Sequence, residues 1–201
     1  NTSREYMTKA LEKRKIDSRF LTGKMLIASP SMLDQRFDKS VIYVCEHSSN
    51  GAMGIIINQP IKEIQLTQIF SQMNIKSIDK EFNRDVYFGG PVETSRGFIL
   101  HSSDYQVPET IHLDNQVSLS SSTEILQSIA KGVGPENYFM AFGYAGWSSG
   151  QLDQEIKENS WLHTEADNRI LWHYENKEKW NKALYKIGVK PGSFINESGT
   201  A

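Results

Sequence analysis

The sequence predicts an α+β fold organised as a single domain. Segments with the β-branched and aromatic character of strands gather early in the chain, and segments with helical periodicity come later. The two kinds of segment do not alternate strictly, as they would around a parallel βαβ sheet. The 201 residues contain no linker, low-complexity tract or internal repeat, which favours one domain.

The first predicted elements are strands. Residues 25–28 form a short apolar run that ends at Ser29-Pro30, and residues 41–45 form a second run rich in β-branched and aromatic side chains. Residues 48–51 carry turn-forming side chains, and the apolar run 54–58 follows them. Together these segments predict a β-hairpin.

A helix and two further strands follow the hairpin, which is predicted to end at Gln59-Pro60. The helix has one buried stripe at i, i+3, i+4 and i+7, formed by Leu66, Ile69, Phe70 and Met73. Residues 86–88 form a strand that ends in a Gly-Gly-Pro turn. Residues 97–101 form the next strand and are predicted to pair with it.

The middle of the chain is predicted to contain a small hairpin and a helix. Residues 111–113 and 117–119 have strand character on either side of a turn. Residues 121–124 match a capping box, so the helix should begin there. Its apolar residues continue to Ile129, and glycines at 132 and 134 end it.

The last third of the chain begins with residues 138–144, the longest strand signal. A small-residue turn at 145–150 leads into a helix that should bury Leu152 and Ile156. Residues 160–163 are predicted as a strand. A last helix ends at Gly188, and its apolar stripe is formed by Trp180, Ala183, Leu184 and Ile187.

Composition excludes several classes of protein. The 22 Lys and Arg residues nearly balance the 24 Asp and Glu residues, giving a net charge of −2, whereas a dedicated nucleic-acid binder is normally clearly basic. Cys45 is the one cysteine, so no internal disulfide can form and a reducing, cytoplasmic setting is predicted. No apolar run approaches the ~20 residues that span a bilayer.

Polar segments flank the predicted domain, which covers residues 20–195. Residues 1–19 form an arm in which basic and acidic residues are interleaved. Met7 and Asn1 both remain open as the natural start, and in the first case residues 1–6 are an addition. Residues 196–201 are small and polar and are expected to fray.

Residues 146–150 match G-x-S-x-G between a predicted strand and a predicted helix, the context of a nucleophile elbow. Ser148 would then need an acid and a histidine from later loops, and Asp167 with His173 is the one plausible pair in the short remainder of the chain. The segment from Ser148 to Gln151 also matches a capping box. That second interpretation favours a structural role.

Two histidines and an arginine are further candidates. His47 follows Glu46 after one predicted strand and His101 ends another, and either imidazole could titrate near neutral pH. Cys45 and His47 could share a strand face, which leaves a thiolate pair open beside plain packing. Arg96 is a candidate anion clamp beside the Gly-Gly-Pro turn. No metal or cofactor is expected, because the histidine and glycine spacings match no metal or nucleotide motif.

Several motifs together resemble the bacterial YqgE/AlgH family. They follow the family's order along nearly the whole chain and comprise residues 20–28, 41–47, 54–60, 88–92, 96–101 and 143–152. The resemblance implies a complex α+β domain with a barrel-like, bifurcated β-sheet flanked by helices. It carries a transcriptional-regulator label through one member linked to alginate regulation, and it implies no known activity. The family pattern has glycine where Ser148 stands, which argues against a serine nucleophile.

The family's recurrent polar and glycine residues map mostly to the ends of predicted strands. If those ends converge, they frame one binding cleft. The residues are Glu46, His47, Asn58, Gly89, Gly90, Pro91, Arg96, His101, Gly143, Tyr144, Gly146, Trp147 and Gln151.

The sequence therefore favours a cytoplasmic binding or regulatory protein that holds a small ligand or a protein partner in this cleft. The first alternative is a hydrolase- or transferase-like enzyme, which would use the 146–150 turn or His47 with His101. The second alternative is a transcriptional regulator. Direct DNA binding is not expected, because the sequence has no helix-turn-helix pattern and no basic face.

Overall fold

The computed structural model describes residues 20–78 and 84–190, and within this part of the chain ten strands form one sheet. The predicted arm 1–19 and tail 196–201 lie outside the described residues. The strands are β1 (Lys24–Ala28), β2 (Val41–Ser48), β3 (Gly51–Ile56), β4 (Pro60–Gln65), β5 (Asp85–Phe88), β6 (Val92–Ser102), β7 (Ile111–His112), β8 (Val117–Ser120), β9 (Tyr138–Trp147) and β10 (Trp161–Glu165). The helices are α1 (Leu66–Gln72), α2 (Thr123–Ala130), α3 (Gln151–Lys157) and α4 (Asn176–Lys186), with a 3₁₀ turn at Gln35–Phe37 and a π-helical turn at Arg169–His173.

The sheet divides at β9. Eight strands follow the order β10-β1-β2-β3-β9-β6-β8-β7, and the pairs along it are antiparallel. One edge of β9 pairs with β6, whereas its other edge is shared between β3 at residues 145–147 and β5, which runs parallel to it, at residues 140–142. β4 pairs with β5 beyond this branch. The sheet curls into a half-barrel, which confirms the α+β class and the barrel-like, bifurcated sheet.

The main core fills the inside of the curl. It unites Met25 and Ile27 of β1 with Val117 and Leu119 of β8, which lie toward opposite ends of the strand order. Helix α4 and the π-helical turn cover this core through Trp180, Ala183, Leu184, Ile170 and Leu171. Because side chains alternate along a strand, Leu26 faces the other way, into a core that includes Leu152 of α3.

A third core lies beneath α1 and α2. It joins Leu66, Ile69 and Phe70 of α1 to Ile125, Leu126 and Ile129 of α2. Helix α2 buries its apolar residues as predicted, and α1 buries three of the four residues in its predicted stripe. Met73 follows the last turn of α1 and is 38% exposed, so it does not belong to the buried stripe.

Several local predictions were wrong. The hairpin strand β3 ends at Ile56, before Gln59-Pro60 as predicted, but Pro60 begins a further strand, β4, that was not predicted. Proline is tolerated at the first residue of a strand. β5 and β6 do not pair with each other, since they flank β9 on opposite sides. β9 continues to Trp147, so the turn predicted at 145–150 starts three residues later.

The two predicted capping boxes also differ from the structure. Ser122 is the N-cap of α2 but makes no capping hydrogen bond with its side chain. The second box is half formed: Gln151 Oε1 accepts from the Ser148 N–H at 3.0 Å, while the N-cap of α3 is Gly150. The match to the motif located each helix start, but the reciprocal pair of hydrogen bonds is absent at both.

Candidate functional site

A groove of about 630 Å³ opens at one end of the half-barrel. Phe98 and Leu119 form part of its lining and also belong to the main core, so the groove is continuous with the barrel interior. From the predicted cleft, the residues that line it are Glu46, Arg96, Tyr144, Gly146 and Trp147. Three separate segments, β2, β6 and the end of β9, thus meet at one concave surface, where ligand sites commonly lie.

A large bulge in β6 shapes the rim of the groove. Val92 stands opposite Tyr144 and Gly97 opposite Phe142, so the four residues 93–96 face the single residue 143 of β9. Glu93, within this bulge, has φ +47°, a left-handed conformation that costs a non-glycine residue about 1 kcal/mol or more. Bulges of this kind re-aim side chains next to functional sites. Here the bulge carries Arg96 to the groove.

Arg96 and Tyr144 make a connected polar rim. The Arg96 guanidinium lies 5.0 Å from the centre of the Phe98 ring, and its Nη1 lies 3.5 Å from Glu93 Oε2. Burial and, after it, the negative charge of the same Glu93 carboxylate raise the pKa of the Tyr144 hydroxyl. The phenol therefore remains a donor at neutral pH. The rim offers a cation, a hydroxyl and the Glu46 carboxylate above an apolar floor.

Trp147 closes the end of the groove next to α3. Its indole Nε1–H donates to Glu155 Oε2 at 2.6 Å, and its ring packs edge-on against Trp161 with the centroids 6.1 Å apart. The side chain is 8% exposed, so it is a fixed wall. An indole with its N–H already bonded presents mainly its ring to a ligand.

The Gly-Gly-Pro turn, Gly89, Gly90 and Pro91, does not line the groove. Its role is to bring the exit of β5 against β9: the Gly89 N–H donates to Phe142 O at 2.8 Å. A Cβ at Gly90 would overlap the backbone of Tyr144, and one at Gly143 would overlap the carbonyl of Gly90. The turn acts through close backbone approach, and the Gly89 N–H is used in its contact with β9.

Asn58 and Gln151 also support backbone outside the groove. Asn58 accepts from the Val41 N–H at 3.0 Å and donates to Lys39 O at 2.9 Å. It borders a different depression of about 650 Å³, beside Trp180. Gln151 holds the turn before α3 through Ser148. These predicted site residues therefore position loops.

His47 is buried near the end of β2, past the shift in the register of β2 against β3 between Val44 and Glu46. The Leu21 N–H donates to its Nδ1 at 3.0 Å, so the ring proton is on Nε2, which lies 3.4 Å from Asp153 Oδ1. The ring also packs edge-on against Phe20, with the centroids 5.2 Å apart. These contacts tie the chain before β1 and helix α3 to the sheet, which is a structural arrangement.

His101 belongs to a separate buried network. Its Nδ1–H donates to Ser102 O at 2.8 Å, which leaves Nε2 to accept from the Ser120 hydroxyl at 2.8 Å. Ser120 Oγ lies 2.7 Å from Thr110 Oγ1. The ring is fully buried, and burial lowers the pKa of His101. The structure does not bring His47 and His101 together.

The candidate nucleophiles have no activating base beside them. The Ser148 hydroxyl donates to Gln151 Oε1 at 3.3 Å, and no histidine is among its hydrogen-bond partners in the described chain. Cys45 packs in the main core, where burial raises the pKa of its thiol to about 12. The shift in β2 register after Val44 separates Cys45 from His47, so the thiolate pair is not formed.

Sequence reasoning missed the apolar part of the groove, chiefly Met53, Phe98 and Leu119. Their strand alternation is the same as that of ordinary core residues, so the sequence offered no signal to separate them. In residues 20–78 and 84–190 no group of three or more His, Cys, Asp or Glu side chains could hold a metal ion. No described helix is long and apolar enough to cross a membrane.

Sequence comparison relates the chain to a known family along most of its length. The AlgH-like family model matches residues 25–192. A UPF0301 protein of Nitrobacter hamburgensis is 45% identical over 193 residues, covering 92% of this chain and 89% of that protein. Another, from Rhodopseudomonas palustris, is 45% identical over 190 residues, covering 90% of this chain and 87% of that protein.

Solved structures agree with this match. The solution structure of AlgH from Pseudomonas aeruginosa superposes with a TM-score of 0.73 at 36% identity and covers 92% of this chain and 98% of that one. A Corynebacterium diphtheriae protein has a TM-score of 0.64 at 21% identity over 83% of this chain and 86% of that one, which shows a shared fold. None of these names states a reaction. The chain therefore belongs to the AlgH-like (YqgE/AlgH) family.

Proposed function

We propose that this protein is a binding protein whose groove holds a small amphipathic molecule. The observation that carries the proposal is the convergence of Glu46, Arg96 and Tyr144 on one rim above an apolar floor. These polar groups come from three strands, and a strained bulge presents one of them. Strain of this kind is often found where a ligand is bound.

The groove chemistry defines the class of ligand. Phe98, Met53 and Leu119 would contact an apolar body. Arg96 and the Tyr144 hydroxyl would donate to a carboxylate or similar acceptor, and Glu46 would accept from a donor beside it. A molecule with an aliphatic body and a polar head therefore fits best, and its volume must fit a space of about 630 Å³.

An enzymatic function has weaker support. Ser148 interacts with an amide, and the two candidate histidines are each held by structural hydrogen bonds. A transcriptional regulator that binds DNA directly is also disfavoured, since the net charge of the chain is −2. We infer a cytoplasmic setting from the single, buried and reduced Cys45.

The test is a binding experiment with three probes: octanoate and octylamine, which share an eight-carbon chain but carry opposite charges, and leucine, which carries both charged groups on a shorter apolar body. Backbone amide shifts of the ¹⁵N-labelled protein should respond to octanoate or leucine at Arg96, Tyr144 and Gly146. Replacing Arg96 with glutamine should weaken that binding about tenfold or more, because a hydrogen bond to a charged group contributes roughly 1.5–3 kcal/mol.

Arg36→Gln is the matched control. Arg36 also lies over a phenylalanine ring, 5.5 Å from the centre of Phe37, and pairs with Asp34 at 2.8 Å, but it is remote from the groove lining. Its replacement should leave probe affinity unchanged. The proposal is rejected if the wild type and the Arg96→Gln variant bind the probes with equal affinity, or if the probes shift only residues outside the groove.

A further inference from the structure

Lys179 is a buried amine in a place where a lysine would ordinarily be solvated. It lies in the first turns of α4 and is 3% exposed. Its Nζ donates to Ile57 O at 2.9 Å and to Leu171 O at 3.3 Å. These two carbonyls belong to the residue that follows β3 and to the π-helical turn, so the amine is fixed between two parts of the main core.

The charge of Lys179 is not balanced by an ion pair with any carboxylate in the described chain. Asp85 and Glu175 border the same cavity, but Asp85 accepts from Gln65 and Glu175 pairs with Lys177 at 3.3 Å. Arg84, the other cation at this cavity, lies over the ring of Tyr138. Burial lowers the pKa of Lys179 to about 8.

Both contacts to carbonyl oxygens can be made by the neutral amine as well as by the ammonium form. A neutral primary amine has two N–H bonds and one lone pair, and the carbonyls of Ile57 and Leu171 supply two acceptors. The rings of Tyr87 and Phe139 have their centres 5.7 and 5.8 Å from Nζ, and both rings line the cavity. The lone pair of the neutral amine is thereby left for a ligand.

The cavity beside Lys179 has a volume of about 430 Å³ and an aromatic wall. The wall is formed by Tyr87, Phe139, Trp172 and Tyr174. The Tyr87 and Phe139 rings are 4.9 Å apart between centroids, and Phe139 and Trp172 are 5.7 Å apart. Such a wall favours a flat aromatic ligand, because offset and edge-on ring contacts add to the free energy of apolar burial.

We propose that this cavity binds a small aromatic aldehyde and that Lys179 captures it as an imine. The lone pair of neutral Nζ attacks the carbonyl carbon and forms a carbinolamine, with the proton moving from nitrogen to oxygen. Loss of the hydroxyl and the remaining nitrogen proton as water then gives the C=N bond. No oxidant or reductant is required, and water reverses the reaction.

The test uses benzaldehyde on the intact protein at pH 7 with sodium cyanoborohydride, which reduces the imine but not the free aldehyde at this pH, followed by peptide mapping. An amine with a pKa near 8 is roughly 10% neutral at this pH, against about 0.03% for an ordinary lysine. Lys179 should therefore be labelled at least tenfold faster than Lys182. Lys182 is the matched control because it lies on the same helix near an aromatic ring, 5.1 Å from Tyr174, but is exposed.

Propanal, under the same conditions, separates the amine from the aromatic cavity. Benzaldehyde should modify Lys179 faster than propanal does, whereas Lys182 should show no such preference. The proposal is overturned if Lys179 is labelled no faster than Lys182, or if propanal modifies Lys179 as well as benzaldehyde does. Because both lysines are compared within the wild-type protein, the result does not depend on whether a Lys179 variant folds.

Discussion

The groove and the lysine cavity hold their cations in opposite ways. In the groove, Arg96 is about half exposed and its Nη1 lies 3.5 Å from Glu93 Oε2, so water and a carboxylate both stabilise the guanidinium. In the cavity beside α4, Lys179 is buried and contacts carbonyl oxygens and aromatic rings. The Arg96 guanidinium therefore stays charged at any ordinary pH, whereas the cavity has an amine whose charge depends on pH.

The two regions also differ in what maintains their shape. The groove depends on backbone geometry: a bulge in β6 and the close approach of Gly90 to β9. The cavity depends on side-chain packing between α4, the π-helical turn and β5. The shape of a surface made by backbone geometry should survive the truncation of side chains, but it should not survive atoms added where two backbones touch. A packed cavity should respond most to the removal or titration of its polar groups.

Gly90→Ala should produce the largest loss of stability. The new methyl group would overlap the Tyr144 backbone, and strand β9 cannot move away because it pairs with three other strands. We expect the free energy of unfolding in urea to fall by about 3 kcal/mol or more. The groove should lose probe binding as Tyr144 shifts, while the benzaldehyde reaction at Lys179 should be less affected in the molecules that remain folded.

Gly150→Ala is the control for this change. Gly150 has φ +74°, but no atom lies within 4 Å of the position that a Cβ would occupy. Its replacement should cost only the conformational penalty of a left-handed residue, about 1 kcal/mol. Equal losses for the two variants would show that backbone contact at Gly90 does not maintain the groove.

Local periodicity was sufficient for most of the fold. The apolar stripes of α1 and α4 and the strand patterns of β1, β2 and β9 each identified an element correctly. The pairing of β5 and β6 was not predictable in this way, because a run such as residues 86–88 indicates a strand but does not identify its partner. The fork at β9 depends on contacts between segments far apart in sequence.

The residues of the two candidate sites also differ in how far the sequence could predict them. The family resemblance placed Glu46, Arg96 and Tyr144 in one predicted cleft, and all three line the groove. Lys179 stands four residues before Ala183, at the edge of the apolar stripe of α4, where a lysine usually extends its amine to solvent. Only the tertiary position of Ile57 and Leu171 reveals that this amine is buried.

The pH dependence of the unfolding free energy should reveal the buried amine of Lys179. The pKa of Lys179 is lower in the folded state, about 8, than the ordinary value, so the unfolded chain binds more protons and stability rises with pH. Between pH 7 and pH 9 the wild type should gain roughly 1 to 2 kcal/mol relative to Lys179→Met, measured by urea unfolding at each pH. That gain is lost again as the pH falls through 8.

Lys182→Met provides the reference for this measurement. Lys182 is on the same helix but exposed, so its replacement should leave the pH dependence of the wild type intact. If Lys179→Met and the wild type change in parallel between pH 7 and pH 9, the folded protein does not suppress protonation of Lys179. The amine would then lack the neutral fraction that imine formation requires.

Removing one tyrosine hydroxyl from each region should give the smallest change in stability. The two variants should also differ most clearly between stability and probe binding. The Tyr87 hydroxyl is part of a half-buried pair with Asn176, with Tyr87 Oη at 3.1 Å from Oδ1 and 3.0 Å from Nδ2. Tyr87→Phe should therefore cost about 0.5 to 1 kcal/mol in unfolding free energy. The Tyr144 hydroxyl lies near Glu93 on the accessible rim of the groove, where water can solvate it, so Tyr144→Phe should cost less than about 0.5 kcal/mol. Binding should show the reverse order, since the Tyr144 hydroxyl is one of the groove's donors: Tyr144→Phe should weaken the octanoate or leucine complex, and Tyr87→Phe should leave it unchanged. A Tyr144 variant that lost stability but kept its affinity would mean that the rim of the groove serves the fold and not a ligand.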